Sequence, residues 1–375
     1  MSSLKANSSS DLPEPRQAVE KMKTYTAPLE GRRKLLRLDF NENTVGPSPL
    51  VTKALLNIPP ENISIYPEYN GLKEAIVENL NKKIYSSNKI DPLQIGLFNG
   101  VDAAIHAIFH SYGNNGDQLL TTTPTFGYYS PCAHMQGMEI IAVPYLGENF
   151  DFPLKEIQTT LKEQKPKILL ICNPNNPTGT QLAAKEIVNL SQMSPNTLIV
   201  IDELYEAFTG DSVLPIVDFK KYRNIVILRS LSKTSGLAGL RIGFAIGHPQ
   251  IIDIIQRVTG PYDINSFAVT AAFAALEDQA YIDDYITEVL AAKRWVHDQL
   301  ILKKIRHHIS GGNYFLIWPK DKPEKIITKM KEKGILIRDM KGKTLINDSI
   351  RVSIGTTTQM KYFFKIFNEI DQINC

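Results

Sequence analysis

Lys233 lies in the run Arg229-Ser-Leu-Ser-Lys-Thr-Ser-Gly-Leu-Ala-Gly-Leu-Arg241. Hydroxyls stand one and three residues before it, at Ser232 and Ser230, and Arg241 follows eight residues after it. Small, turn-permitting residues fill the interval. A primary amine can condense with a carbonyl to form a Schiff base. Paired hydroxyls and an arginine can hold a phosphate with charge-assisted hydrogen bonds. The run therefore suits an amine that bonds covalently to a carbonyl compound carrying a phosphate.

Three other segments carry polar groups of the same kind. They are Asn99-Gly-Val-Asp102, Cys172-Asn-Pro-Asn-Asn-Pro-Thr-Gly179 and Asp202-Glu-Leu-Tyr205. Taken singly, each has an ordinary structural explanation. The Asn-Pro run makes turns, Asp202 caps a helix, Tyr205 packs half-buried, Gly100 serves a turn, and Lys233 is a surface lysine. Chance explains their joint occurrence in this order poorly.

The elements around them give the reason. From about Ile95 to Ile246, short apolar runs alternate with amphipathic ones. Strands are predicted at Ile95–Asn99, Gln118–Thr122, Glu139–Val143, Ile168–Cys172, Leu198–Asp202, Ile225–Arg229 and Arg241–Ile246. Ile168–Cys172 and Leu198–Asp202 are almost wholly apolar, as central parallel strands are. Helical patterns such as Val101–Tyr112 and Leu182–Met193 lie between strands, which predicts an α/β sheet sandwiched by helices. All four polar segments follow strands, and ligands of such sheets bind beyond the strands' carboxyl ends.

The C-terminal part reads as a smaller α+β unit. It has a long helix over about Asp278–Leu300, strands at Tyr314–Trp318, Ile335–Arg338 and Ile350–Ser353, and helices at about Lys322–Lys333 and Thr358–Ile373. The division expected is a disordered tail over 1–22, a segment over 23–70 packing on the small unit and on a dimer partner, a large domain over 71–277 and a small one over 278–375. A hydrophobic fraction of 43%, a charged fraction of 22% and a net charge of +3 describe an ordinary globular chain. No basic block points to nucleic acid, and no apolar run is long enough for a membrane span or a signal peptide core. Cys132, Cys172 and Cys375 have no metal-like spacing, and an odd number cannot all pair within the chain. A cytoplasmic protein without a metal is expected.

Together these motifs resemble the fold-type I, pyridoxal-phosphate-dependent aminotransferases of class I/II, over about Tyr25 to Gly355. Within that group the chain is similar to the histidinol-phosphate aminotransferases. Leu38-Asp-Phe-Asn-Glu-Asn43, Tyr66-Pro-Glu68, Asn313-Tyr314 and Ile350-Arg-Val-Ser-Ile-Gly-Thr356 join the motifs above in carrying the resemblance.

The resemblance implies pyridoxal 5'-phosphate as cofactor, with Lys233 as its anchor and then as acid–base. It implies Asp202 against the pyridine nitrogen, and Asn176 and Tyr205 on the ring oxygen. Gly100, Val101, Asp102, Ser230, Ser232 and Arg241 would hold the phosphate. Phe126 would stack on the ring, where relatives commonly have tyrosine. Tyr66 would reach the phosphate of a neighbouring subunit, which makes the protein a homodimer with shared sites. Arg351, Arg338, Tyr25 and Asn313 are the implied substrate residues. The implied reaction is ping-pong transamination, with histidinol phosphate and 2-oxoglutarate as substrates. The alternatives are an aromatic amino acid aminotransferase, a lyase or decarboxylase on the same scaffold, and a non-catalytic regulator.

Overall fold

The computed structural model describes residues 13–24, 30–85 and 88–371. Two sheets organise them. The larger has seven strands in the order Ile95–Phe98, Gly243–Gly247, Ile225–Ser230, Leu198–Asp202, Ile168–Cys172, Gln118–Thr123 and Glu139–Pro144. Gly243–Gly247 runs antiparallel to both its neighbours, Ile95–Phe98 and Ile225–Ser230; the remaining pairs in the sheet are parallel. Ile168–Cys172 and Leu198–Asp202 are buried along their whole length, which fits their near-continuous apolar sequences. Apolar clusters fill both faces of this sheet, one against helices such as Leu72–Lys82 and Ser266–Glu277, the other against Gly100–Tyr112.

The smaller sheet has five strands in the order Leu36–Leu38, Ile335–Asp339, Ile350–Ser353, Tyr314–Trp318 and Arg306–Ile309. Helices Gln279–Leu302 and Thr357–Ile370 contribute their apolar faces to its core. The fold is thus the α/β architecture expected, a mostly parallel sheet between helices with a smaller α+β unit.

Several local expectations change. The segment before Gly71 divides between the two units. Leu36–Leu38 pairs in parallel with Ile335–Ile337 at the edge of the small sheet, whereas Pro49–Leu56 packs against Ser266–Glu277 beside the large one. Three residues are too short to show alternation, so Leu36–Leu38 carries no strand signal of its own. Within the tail expected to be disordered, Gln17–Glu20 forms one helical turn. Arg16 there donates to the carbonyl of Met135 at 2.5 Å; residues 1–12 lie outside the described part.

The strand expected from Arg241 begins at Gly243 instead. Arg241 has φ +58°, a left-handed turn that sends its side chain back toward the Gly100–Tyr112 helix. Residues 25–29, Tyr25 among them, lie outside the described part. Among the described residues no helix is long and apolar enough to cross a membrane.

Candidate active site

The carboxyl ends of the parallel strands open into a cleft. Val101, Asp102, Phe126, Asn176, Asp202, Tyr205, Ser230, Ser232, Lys233 and Arg241 line it, together with Cys172, Leu204 and Ala238. It continues toward the small sheet, where Phe40, Arg338, Met340, Lys343 and Arg351 add to the wall.

At the floor, Asp202 is the last residue of its strand, paired in register with Cys172. It is 2% exposed. Its Oδ2 accepts the Tyr129 hydroxyl at 2.5 Å and its Oδ1 the Leu204 N–H at 3.3 Å. Burial pushes its carboxyl up to about 6, against the pull of those two donors. No lysine or arginine forms an ion pair with it among the described residues. A buried carboxylate left in this state fits a cationic group brought in by a ligand.

Lys233 sits above this floor. Its Nζ donates to the carbonyl of Phe40 at 2.9 Å and lies 5.9 Å from the centre of the Tyr205 ring. Burial, and then the nearby Arg351 charge, lowers its ammonium from 10.5 to about 8. A neutral amine is therefore accessible near neutral pH.

The Tyr205 hydroxyl accepts from Asn41 Nδ2 at 3.1 Å and from Asn176 Nδ2 at 3.3 Å. With both neighbours donating, its own proton is free for an acceptor in the cleft. Asn176 Oδ1 in turn accepts Arg351 Nη1 at 2.5 Å, and the carbonyl of Asp39 accepts Arg351 Nη2 at 2.6 Å. Arg351 is buried, and its Nε has no hydrogen-bond partner among the described residues.

The phosphate-type residues also meet. Gly100 opens a thirteen-residue helix with φ +78°. A Cβ there would fall 2.5 Å from Arg241 Nη2, so only glycine lets the guanidinium lie across this helix start. Arg241 Nη2 donates to Asp102 Oδ2 at 2.9 Å. Asp102 thus engages Arg241 through its carboxylate. Ser230 Oγ lies 2.8 Å from Ser232 Oγ and donates to the Ile242 carbonyl. Helix N–H groups, two hydroxyls and a guanidinium around one space make an anion site.

Two candidates stand apart from the cleft, and a third lies at its mouth. Tyr66 does not line the cleft of its own chain; it is 70% exposed and stacks on Tyr262 with ring centres 4.0 Å apart. Asn313 is buried behind the wall, where its Nδ2 donates to the Asn41 carbonyl at 3.3 Å. Arg338 lines the cleft mouth with its guanidinium 5.4 Å above the Phe40 ring.

Sequence reasoning missed Phe40, Asn41, Tyr129, Met340 and Lys343. Phe40 and Asn41 lie in the Leu38–Asn43 motif, so position marked them, although no chemistry did. Asn41 has φ +54°, which aims its amide at Tyr205 and Ser353. Lys343 follows Met340 in a surface turn and carried no signal.

Residues 33–367 match the family described as aminotransferase class I and II. The chain belongs to that family. It is 32% identical to histidinol-phosphate aminotransferase 1 of Pseudomonas fluorescens over 87% of this chain and 90% of that one. It is 31% identical to the dihydroxyacetone phosphate transaminase of Campylobacter jejuni, over 88% of each. The crystal structure of the Sinorhizobium meliloti histidinol-phosphate aminotransferase, a complex with pyridoxal-5'-phosphate, superposes with a TM-score of 0.85 at 23% identity. It covers 97% of this chain and 99% of that one. This family is the fold-type I group expected from the motifs, and its members transfer amino groups.

Proposed function

We propose that the chain is a pyridoxal-phosphate-dependent aminotransferase that exchanges an amino group between histidinol phosphate and 2-oxoglutarate. The observation that carries the substrate class is charge. Lys233, Arg241, Arg338, Lys343 and Arg351 line the extended cleft, against two carboxylates: Asp102, already paired with Arg241, and Asp202 at the floor. Arg241 belongs to the cofactor phosphate and Lys233 to the cofactor carbonyl. Three cations remain near the small sheet, enough for a substrate carrying a carboxylate or a phosphate dianion.

When bound, the cofactor supplies an electron sink for the substrate's Cα–H bond. The chain's own groups do the rest. Asp202 faces the ring nitrogen and keeps its proton on. Asn176 and Tyr205 would donate to the ring oxygen, and Phe126 would cover a ring face. Gly100, Val101, Asp102, Ser230, Ser232 and Arg241 seat the phosphate. Lys233 would hold the cofactor, and its amine would move a proton at the substrate Cα; its lowered ammonium suits that exchange. Arg351 receives the carboxylate of glutamate or 2-oxoglutarate through its Nη groups. Arg338 and Lys343 receive the substrate phosphate.

The active form in this reading is a cytoplasmic homodimer. Leu56, Ile63, Ile65, Tyr66 and Tyr262 are all more than half exposed, an apolar set suited to a subunit interface. Tyr66 would cross it to the partner's phosphate seat. A panel of the amino donors histidinol phosphate, phenylalanine and tyrosine, each with 2-oxoglutarate as acceptor, tests the substrate. Highest kcat/KM with histidinol phosphate supports the reading. Highest kcat/KM with the unphosphorylated aromatic amino acids overturns it.

A further inference from the structure

Asp202 needs a donor that steadies it without neutralising it, and one residue outside the expected set meets that need. Tyr129 opens the helix Tyr129–Met135, three residues after Phe126. It is fully buried. Its hydroxyl lies 2.5 Å from Asp202 Oδ2, and its ring meets the Phe126 ring edge-on, with centres 5.4 Å apart and planes at 79°. One side chain therefore touches both the carboxylate at the cleft floor and the aromatic ring on its wall.

We propose that Tyr129 is a positioning residue for the reaction, holding the Asp202 carboxylate ionised and in one orientation while bracing Phe126. The inference rests on the cofactor reading above. Its chemistry follows from the choice of donor. An arginine or lysine at this place would pair with Asp202 and cancel the charge meant for the ring nitrogen. A neutral hydroxyl stabilises the carboxylate and leaves its charge in place. Burial and the Asp202 charge raise the Tyr129 hydroxyl well above its ordinary range, so it stays protonated and remains a donor. Apart from Tyr129, the Leu204 N–H at 3.3 Å is the donor that the described residues offer Asp202. With Oδ2 fixed by Tyr129, the carboxylate plane cannot turn freely. The brace on Phe126 couples the ring's face contact to its nitrogen contact.

The test uses the full chain with phenylalanine at position 129 (Y129F) and, separately, with 3-fluorotyrosine there, which keeps the size and makes the hydroxyl more acidic. The first readout is the Asp202 carboxyl titration in cofactor-free protein, followed by carbon-13 NMR. Loss of a hydrogen bond to a charged group should shift its acid equilibrium toward the neutral acid by about tenfold to a hundredfold in Y129F. Fluorotyrosine should shift it the other way. The second readout is pyridoxal phosphate affinity by absorbance titration, with a loss of about tenfold in Y129F expected. The third is kinetic: kcat should fall while KM for the amino donor holds. A Y129F carboxyl titration that superposes on the parent, with fluorotyrosine also silent, overturns the proposal and reduces Tyr129 to packing. A shifted titration in a protein that transaminates nothing would instead overturn the functional reading and leave the Tyr129–Asp202 coupling standing.

Discussion

Replacing Lys233 by methionine should stabilise the cofactor-free protein, and the gain should shrink as pH rises. The folded chain holds this ammonium among buried groups and beside Arg351, which lowers it from 10.5 to about 8. The sign follows from proton counting. Between those two values the unfolded chain binds more protons at this site, so parent stability rises with pH there. Below about 8 the folded state carries the whole cost of the buried charge. Each tenfold step in proton affinity is worth about 1.4 kcal/mol, which puts that cost at about 3 kcal/mol near pH 7 and about 1.4 kcal/mol near pH 9.5. K233M removes the cost at every pH, along with one hydrogen bond to the Phe40 carbonyl. Its advantage over the parent should therefore narrow by about 2 kcal/mol over that range, or by about 1 kcal/mol if solvent at the cleft mouth screens half of it. Urea unfolding of both stripped proteins at the two pH values measures the narrowing. A difference that does not change with pH would refute the reasoning, because Lys233 would then titrate as an ordinary surface lysine.

Three further outcomes follow from the same geometry. Gly100→Ala forces a Cβ into Arg241 at a left-handed backbone position, so absorbance titration should show pyridoxal phosphate bound about tenfold or more weakly, with the fold retained. Arg338→Met should raise KM for histidinol phosphate by about tenfold to a hundredfold, the worth of a charge-assisted bond, while rates with phenylalanine stay level in the same steady-state assay. Chains carrying Tyr66→Ala and chains carrying Lys233→Ala should each be poorly active alone. Co-expressed, they should recover activity through mixed dimers, which hold one site with both residues intact; activity gained on mixing is the readout.

Much of this was legible because the chemistry sits at strand ends. Ile168–Cys172 and Leu198–Asp202 announce central parallel strands by being apolar on both faces, and that alone places Asn176 and Asp202 at one edge of one sheet. Lys233 and Ser230 follow a third such strand, so their convergence was implied before any side chain was seen. The rest depended on information that periodicity does not carry. Leu36–Leu38 is a three-residue edge strand held by Ile335–Ile337, hundreds of residues away. Arg241 leaves its expected strand because its left-handed backbone turns the guanidinium to Asp102. Tyr129 looks like any core tyrosine until the Asp202 strand is laid beneath it. Lys343 gains its place from the turn after Met340, which sets it beside Arg338 and Arg351 on the cleft wall.

The central claim is that Lys233 and the groups around it make this chain an aminotransferase that works through bound pyridoxal phosphate. The half-reaction tests it most directly. Protein loaded with the cofactor is mixed with glutamate alone, and the cofactor's absorbance is followed before and after 2-oxoglutarate is added. The account predicts that glutamate bleaches the band with stoichiometric release of 2-oxoglutarate, that excess 2-oxoglutarate restores it, and that Lys233→Ala does neither. A band indifferent to every amino donor, or a Lys233→Ala protein that cycles like the parent, would contradict it.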